Sequence, residues 1–249
     1  MLVHGLATTH SIWRRAAPLL AQHRRVVAVD VPGFGDSPAA GRGFELEDVA
    51  AAISEGVERA GVEPPYDLVG HSMGGAVALT LAQCKPSDLR SLVLVAPAGL
   101  RSVPRGAAEV LGAAGSSLIA LRRSAAPLAA TQWGRRVLLV GGAVDAEHFA
   151  PTEVQAMVSA SRGATRVRQA LAACARADLR PAAIALPVPL GLLRGERDPL
   201  VSDHDVARMA RRREGLVVGT VDDCGHLPMM ERPEAFVAEL EHMLERLHH

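Results

Sequence analysis

Short apolar runs punctuate the chain at Met1–Val3, Val26–Val31, Tyr66–Val69, Leu92–Ala96, Val188–Leu193 and Leu216–Val221. They are rich in Val and Leu, almost free of polar residues, and mostly stop at Gly, Pro or Asp. Strands covered on both faces of a parallel sheet read this way, because neither face needs a polar side chain. Between the runs, apolar positions recur with helical spacing. The pattern predicts helices over Ile12–Gln22, Leu46–Ala60, Ala76–Cys84, Asp203–Arg212 and Pro233–Leu247, with Gly61 stopping the second. Strand alternating with helix predicts an α/β fold, a mostly parallel central sheet flanked by helices.

The alternation breaks between Gly99 and Arg180. Ala-rich helices are expected there over Ala107–Leu121, Thr131–Val140, Thr152–Ser161 and Thr165–Ala177, with only Val137–Val140 hinting at a strand. The simplest organisation is a core of residues 1–98 and 181–249 with a helical cap, residues 99–180, inserted after the Leu92–Ala96 strand.

At Leu68–Leu79 the chain reads LVGHSMGGAVAL. Glycine weakens strand and helix interiors, so three of them around a serine ask for an explanation. A strand ending at Val69 and a helix opening at Ala76 leave Gly70-His71-Ser72-Met73-Gly74 as the whole connection. This is G-x-S-x-G, a turn so tight that its neighbours must be small, lifting the Ser72 hydroxyl above the sheet at a helix start. A serine hydroxyl needs a base to attack anything. His226 in VDDCGHLPMMERPEAF follows the Leu216–Val221 strand, and Gly225 lets the loop turn toward the sheet's carboxyl edge. The acid that would orient it is Asp198 in LLRGERDPLV, after the Val188–Leu193 strand; Glu196, Asp222 and Asp223 are the alternatives. The order Ser72, Asp198, His226 is the one this elbow geometry requires. An oxyanion would be held by the backbone N–H groups of Met73, which follows the serine, and of Leu6, in the loop after the first strand.

Other features change the picture less. Gly33-x-Gly35 follows a strand, but Pro38 stands where a dinucleotide loop needs its third glycine and no helix opens there, so a tight loop is the reading. Lys+Arg and Asp+Glu both total 27 in 249 residues, which gives no reason to expect nucleic acid as a partner. The three cysteines, Cys84, Cys174 and Cys224, are odd in number and widely spaced; no disulfide framework or metal site is expected, and a reducing cytoplasm fits them. No secretion signal follows Met1, and the longest apolar run, Ala182–Leu193, is interrupted by Pro187 and Pro189, so no membrane span is expected.

Taken together, His4-Gly5, DVPGFGDSP, GHSMGG, GERDPLV and CGHLPMMERPEAF resemble the α/β-hydrolases of the serine type, a group with small esterases, cofactor-free haloperoxidase-like enzymes and carbon–carbon bond hydrolases. The resemblance spans the chain, most loosely in the cap. It implies Ser72 as nucleophile, His226 as base and Asp198 as acid, with no cofactor. It departs at the start, where Met1 opens the His-Gly strand at once, without the two strands usual ahead of it; either the start is truncated or the protein lacks that hairpin. Val26–Val31 would then be a sheet edge, and a homodimer through it is expected. The leading expectation is an acyl hydrolase working through an acyl-enzyme on a small apolar ester. The alternatives are a carbon–carbon hydrolase or non-hydrolytic acid–base catalyst on the same triad, and a ligand-binding protein without turnover. The substrate is expected to meet His4, Gly5, His71, Trp133, Leu200 and Leu227. Arg122, Arg123, Arg135 and Arg136 read as solvated faces, with a carboxylate clamp as the alternative. Cys224 reads as a small buried filler.

Overall fold

Six strands form one parallel sheet in the computed structural model, which describes residues 1–160 and 164–249. They are β1 (Leu2–Val3), β2 (Ala28–Val29), β3 (Tyr66–His71), β4 (Leu89–Val95), β5 (Leu190–Gly195) and β6 (Val217–Val221), in the spatial order β2-β1-β3-β4-β5-β6. All pairings are parallel, with Val69 beside Val93 and Val93 beside Gly191 across the centre. Each apolar run of the sequence holds one of these strands. β4 begins at Leu89, three residues early, and β5 runs on through Gly195. Alternate side chains serve opposite faces. Leu68, Leu92, Leu94, Leu190 and Leu192 join one buried cluster, and Val69, Val93, Val95, Leu193 and Val217 join the other.

Helices cover both faces. Before β4 come α1 (Ala17–Leu20), α2 (Leu46–Arg59) and α3 (Met73–Cys84). The predicted Ile12–Gln22 helix is instead a 3-10 turn at His10–Trp13 followed by the single-turn α1. The second helix follows its pattern closely. Leu46, Val49, Ala50, Ile53 and Val57 bury one stripe, Glu47 and Asp48 sit in the first turn, Arg59 sits in the last, and Gly61 beyond it takes φ +65°. Between β4 and β5 the described residues form helices and no strand: α4 (Arg105–Ser124), α5 (Gln132–Leu138), α6 (Pro151–Ala160), α7 (Val167–Arg176) and α8 (Arg180–Ala185), with short 3-10 turns. The Val137–Val140 strand hint fails, since Leu138 ends α5. Ser161, the expected end of the third helix here, lies outside the described residues. The apolar run at 182–193, interrupted in sequence by Pro187 and Pro189, divides there into the end of α8 and the start of β5. After β5 come α9 (Asp203–Ala210), α10 (Pro228–Glu231) and α11 (Pro233–Leu247). A capping box closes the start of α9, where Ser202 and Asp205 each satisfy the other's backbone.

Ion pairs tie the helical segment to the rest. Glu153 on α6 meets Arg14 at 2.8 Å and Arg15 at 2.5 Å, and Arg232 meets Asp145 at 2.7 Å. No helix among the described residues is long and apolar enough to cross a membrane. The Gly33–Gly35 stretch is a loop of tight turns, with φ +87° and +55° at its two glycines and Phe34 fully buried between them.

Among the described residues β2 ends the sheet. Val26–Val29 are half-buried, and Arg24 and Arg25 fold away toward Asp67, Glu241 and the Gly61 carbonyl. We propose that this β-branched edge pairs with a second copy. Light scattering should then give a mass above the monomer's, and Val27→Lys should return it to the monomer; a monomer both before and after the change would rule the pairing out.

Helix α3 opens at Met73, not at Ala76, so Gly74 and Gly75 are helical. A methyl group on Gly74 would sit 2.5 Å from the Val3 carbonyl oxygen and closer still to that of His4. Helical alanine is favoured over glycine by about 0.5–1 kcal/mol. The clash is with backbone at the centre of the sheet, and such overpacking costs about 1–3 kcal/mol. Gly74→Ala should therefore lower stability in a denaturant melt. A gain would show that β1 yields.

Candidate active site

The turn between β3 and α3 holds Ser72 at φ 53° and ψ −117°. Non-glycine residues pay about 1–3 kcal/mol for such backbone, and it persists only where the surroundings fix it. Here the Ser72 N–H donates to the Val95 carbonyl at 2.9 Å. Its carbonyl accepts from Gly75 at 2.9 Å and Ala98 at 3.0 Å. Gly70 has no room for a side chain, because a methyl there would lie 2.7 Å from the Ala78 Cβ. The glycines of the motif thus let β3, α3 and β1 close on one another around the serine.

Ser72 and His226 face a common cavity of about 270 Å³. His226 Nδ1 donates to Asp198 Oδ2 at 2.9 Å, and both residues are buried. Burial alone would raise the Asp198 pKa. The His226 hydrogen bond and charge, together with the Leu200 and Val201 N–H groups at 2.7 and 3.2 Å, outweigh it and hold the carboxyl below the usual aspartate value. Asp198 is therefore a fixed anion that sets the tautomer of His226, leaving Nε2 free to accept a proton. Of the other candidate acids, Glu196 accepts from the Asp223 N–H, Asp223 lies 4.0 Å from Arg197, and Asp222 is exposed. No hydrogen bond among the described residues involves the Ser72 hydroxyl, so it is not yet in the geometry of proton transfer with His226. Such bonds commonly tighten only when substrate is bound. Leu6 lines the cavity and Met73 opens α3 behind Ser72. No hydrogen bond among the described residues takes either N–H, which leaves both donors available to an oxyanion.

Of the expected substrate-contacting residues, His71, Leu200 and Leu227 lie on the cavity wall, and His4, Gly5 and Trp133 do not. His4 is wholly buried; Nε2 accepts from the Val31 N–H at 2.9 Å, so Nδ1 carries the proton and donates to the Gly5 carbonyl at 2.7 Å. It braces the loop after β1. Gly5 gives close approach to the protein itself, since a methyl there would lie 2.8 Å from His71 Nδ1 and 3.2 Å from Ser72 Cβ. Trp133 stands at the start of α5 with 66% of its surface exposed. Its size suggested a pocket wall, but the turn of α5 points it outward. The helical segment's contribution to the wall is Ile119, Arg122, residues 138–142, Met157 and Val158. Apart from Arg122, read as a solvated face with a carboxylate clamp as the alternative, nothing in the sequence marked these, because a helix face lining a cavity has the same spacing as one packed in a core.

The arginines divide in role. Arg135 is buried and donates to the carbonyls of Ala129, Ala130 and Glu147, while Arg136 pairs with the Glu147 carboxylate at 2.5 Å. Arg122 lines the cavity and donates to the Val140 carbonyl at 2.9 Å; burial lowers its pKa. Cys224 is buried as a filler, with burial pushing its thiol up to about 12. A second cleft of about 120 Å³ also reaches Ser72 and His226, walled by Ala96–Arg101 and Leu200.

Burial pushes the His71 pKa down to about 3, aided by the neighbouring His226, and that of His4 down to about 4. His71 Nε2 donates to the His226 carbonyl at 2.8 Å, a bond that favours the charged ring but is outweighed by burial, so this ring too is neutral. Unfolding releases both rings to an ordinary value near 6.5. Between that value and the folded values the unfolded chain binds more protons, so stability is full above about pH 6.5 and falls as pH drops. Each ring contributes a slope of about 1.4 kcal/mol per pH unit. Denaturant melts at pH 7 and pH 5 should show this loss, and His71→Asn should remove roughly half of the slope. A pH-independent stability across that range would contradict the buried, neutral assignment.

Comparison with known proteins shows the family. A profile of the alpha/beta hydrolase family matches residues 1–239. The pimeloyl-[acyl-carrier protein] methyl ester esterase of Methylococcus capsulatus is 32% identical, with 94% of this chain and 89% of that protein covered. The esterase of the same name from Neisseria meningitidis serogroup A is 29% identical over 95% and 73%. Among solved structures, a thermophilic esterase from Thermogutta terrifontis superposes with a TM-score of 0.76 at 23% identity, covering 100% of this chain and 89% of its own. The chain belongs to the alpha/beta hydrolase family and is a hydrolase.

Proposed function

We propose that this chain is a serine esterase that cleaves small-alcohol esters of an apolar acyl group. The observation that carries the reading is the constellation at one cavity: Ser72 on a strained strand-to-helix turn, and His226 held by an ionised, buried Asp198. Ser72 Oγ attacks the ester carbonyl as His226 Nε2 takes its proton. The Leu6 and Met73 N–H groups stabilise the resulting oxyanion, and Asp198 stabilises the imidazolium. Collapse expels the alcohol, which receives the proton from His226. Water, deprotonated by the same ring, then releases the acid from the acyl-enzyme.

Two features support the substrate class. The larger cavity is walled by Leu6, Ile119, Leu138, Leu139, Met157 and Val158, which suits an apolar acyl arm. The smaller cleft, walled by a different set of residues at Ser72, suits a short alcohol. The methyl esterase names of the full-length relatives agree with that division. Three cysteines, all free and two of them shielded, support a reducing compartment such as the cytoplasm.

A methyl ester series from acetate to octanoate should show kcat/KM rising with acyl length, and lengthening the alcohol on a fixed acyl group should lower it. Ser72→Ala and His226→Ala should each reduce turnover by roughly 10⁴-fold or more, and the double variant should be little worse than either. Turnover surviving in Ser72→Ala would refute the serine mechanism. Cleavage of a vinylogous diketone in preference to every ester would move the chain to carbon–carbon hydrolysis.

A further inference from the structure

Glu231, at the end of α10, is a buried carboxylate. Among the described residues no Lys, Arg or His side chain pairs with it. Its partners are three backbone N–H groups. Oε1 accepts from Gly225 at 2.9 Å and from Leu227 at 3.3 Å, the residues on either side of His226. Oε2 accepts from Val144 at 2.7 Å, in the turn that follows α5. Burying a carboxylate without a counter-charge is costly, and its removal leaves three buried donors without an acceptor. The side chain's task is set by these three amides, which come from two separate segments of the chain.

The connections around it indicate that task. His226 itself is pinned on both sides, its N–H donating to the Gly142 carbonyl at 2.8 Å and its carbonyl accepting from His71. Gly142 belongs to the 138–142 stretch that walls the cavity. Gly225 is closely packed, since a methyl there would lie 3.1 Å from the Gly142 carbonyl oxygen and 3.3 Å from Glu231 Oε1. The loop carrying His226 and the turn lining the cavity are therefore joined twice, once directly and once through one carboxylate. We infer that Glu231 is a positioning residue that locks the His226 loop to the cavity-lining turn at Leu138–Val144, so that the wall that receives the acyl group and the base that activates Ser72 hold one fixed relation. The inference rests on the assignment of Ser72 and His226 proposed above.

The test compares three variants of the full chain with p-nitrophenyl butyrate as substrate. Glu231→Gln keeps the shape but turns an NH₂ toward one of the N–H groups. It should lower kcat roughly 10-fold while KM stays within about twofold, since misplacement of about 1 Å at a distance from the chemistry costs up to ~100-fold. Arg232→Ala breaks the adjacent pair with Asp145, 2.7 Å apart, and leaves the three N–H contacts alone; its kcat should stay within about twofold. Hydrogen exchange on the unmodified protein should show the Gly225, Leu227 and Val144 amides protected as one group, and this measurement decides the matter if Glu231→Gln does not fold. Folded Glu231→Gln with unchanged kcat, an equal loss in Arg232→Ala, or Val144 exchanging independently of Gly225 and Leu227 would each overturn the inference. Ser72→Ala in the same assay separates the two claims. If it is inactive while Glu231→Gln is unaffected, only the positioning role fails; if it stays active, the serine reading fails as well.

Discussion

The backbone of Ser72 is the constraint on which the rest of the molecule depends. Its conformation is unfavourable by itself, and three elements hold it in place. β4 takes the N–H through Val95, the first turn of α3 and the Ala98 segment take the carbonyl, and the glycines at 70 and 74 let α3 sit hard against β3 and β1. A side chain at either glycine would push the helix outward and let the serine relax. The parallel sheet supplies the rigidity, because its central strands are buried on both faces and cannot shift one at a time.

Around this fixed point the site divides into a rigid half and an attached half. Ser72, Met73 and His71 belong to the elbow. Asp198 and His226 come from loops after β5 and β6, whose freedom is removed by backbone hydrogen bonds. Asp198 collects the N–H groups of Leu200 and Val201, and His226 is held between Gly142 and His71. The attached half is the helical segment, which supplies about half of the cavity wall and shares both buried apolar clusters with the sheet, with charged contacts such as Glu153 with Arg14 and Arg15 beside them.

Much of this was legible in the sequence, for reasons that differ by element. The strands showed because both faces are buried, and α2 and α11 showed because each buries a single stripe. Ser72, Asp198 and His226 stood out because each follows an apolar strand and the three come in the required order. What stayed hidden depends on tertiary neighbours. Gly74 and Gly75 read as a turn because glycine disfavours helix, yet they are helical where α3 touches β1 and Pro97. Trp133 read as a pocket wall because it is large, and it faces solvent. His4 read as a substrate contact because of its loop, and it is a buried brace. Glu231 drew no notice, since one acid in a run of MMERPEAF carries no local sign that three amides will converge on it.

The central claim is that the Ser72 hydroxyl becomes a nucleophile through His226. Reaction with a fluorophosphonate, followed by peptide mapping, tests it without any assumption about substrate. The account requires one adduct, on the peptide that contains Ser72, formed far more slowly in His226→Ala. An adduct on another residue, or an equal rate in His226→Ala, would contradict it.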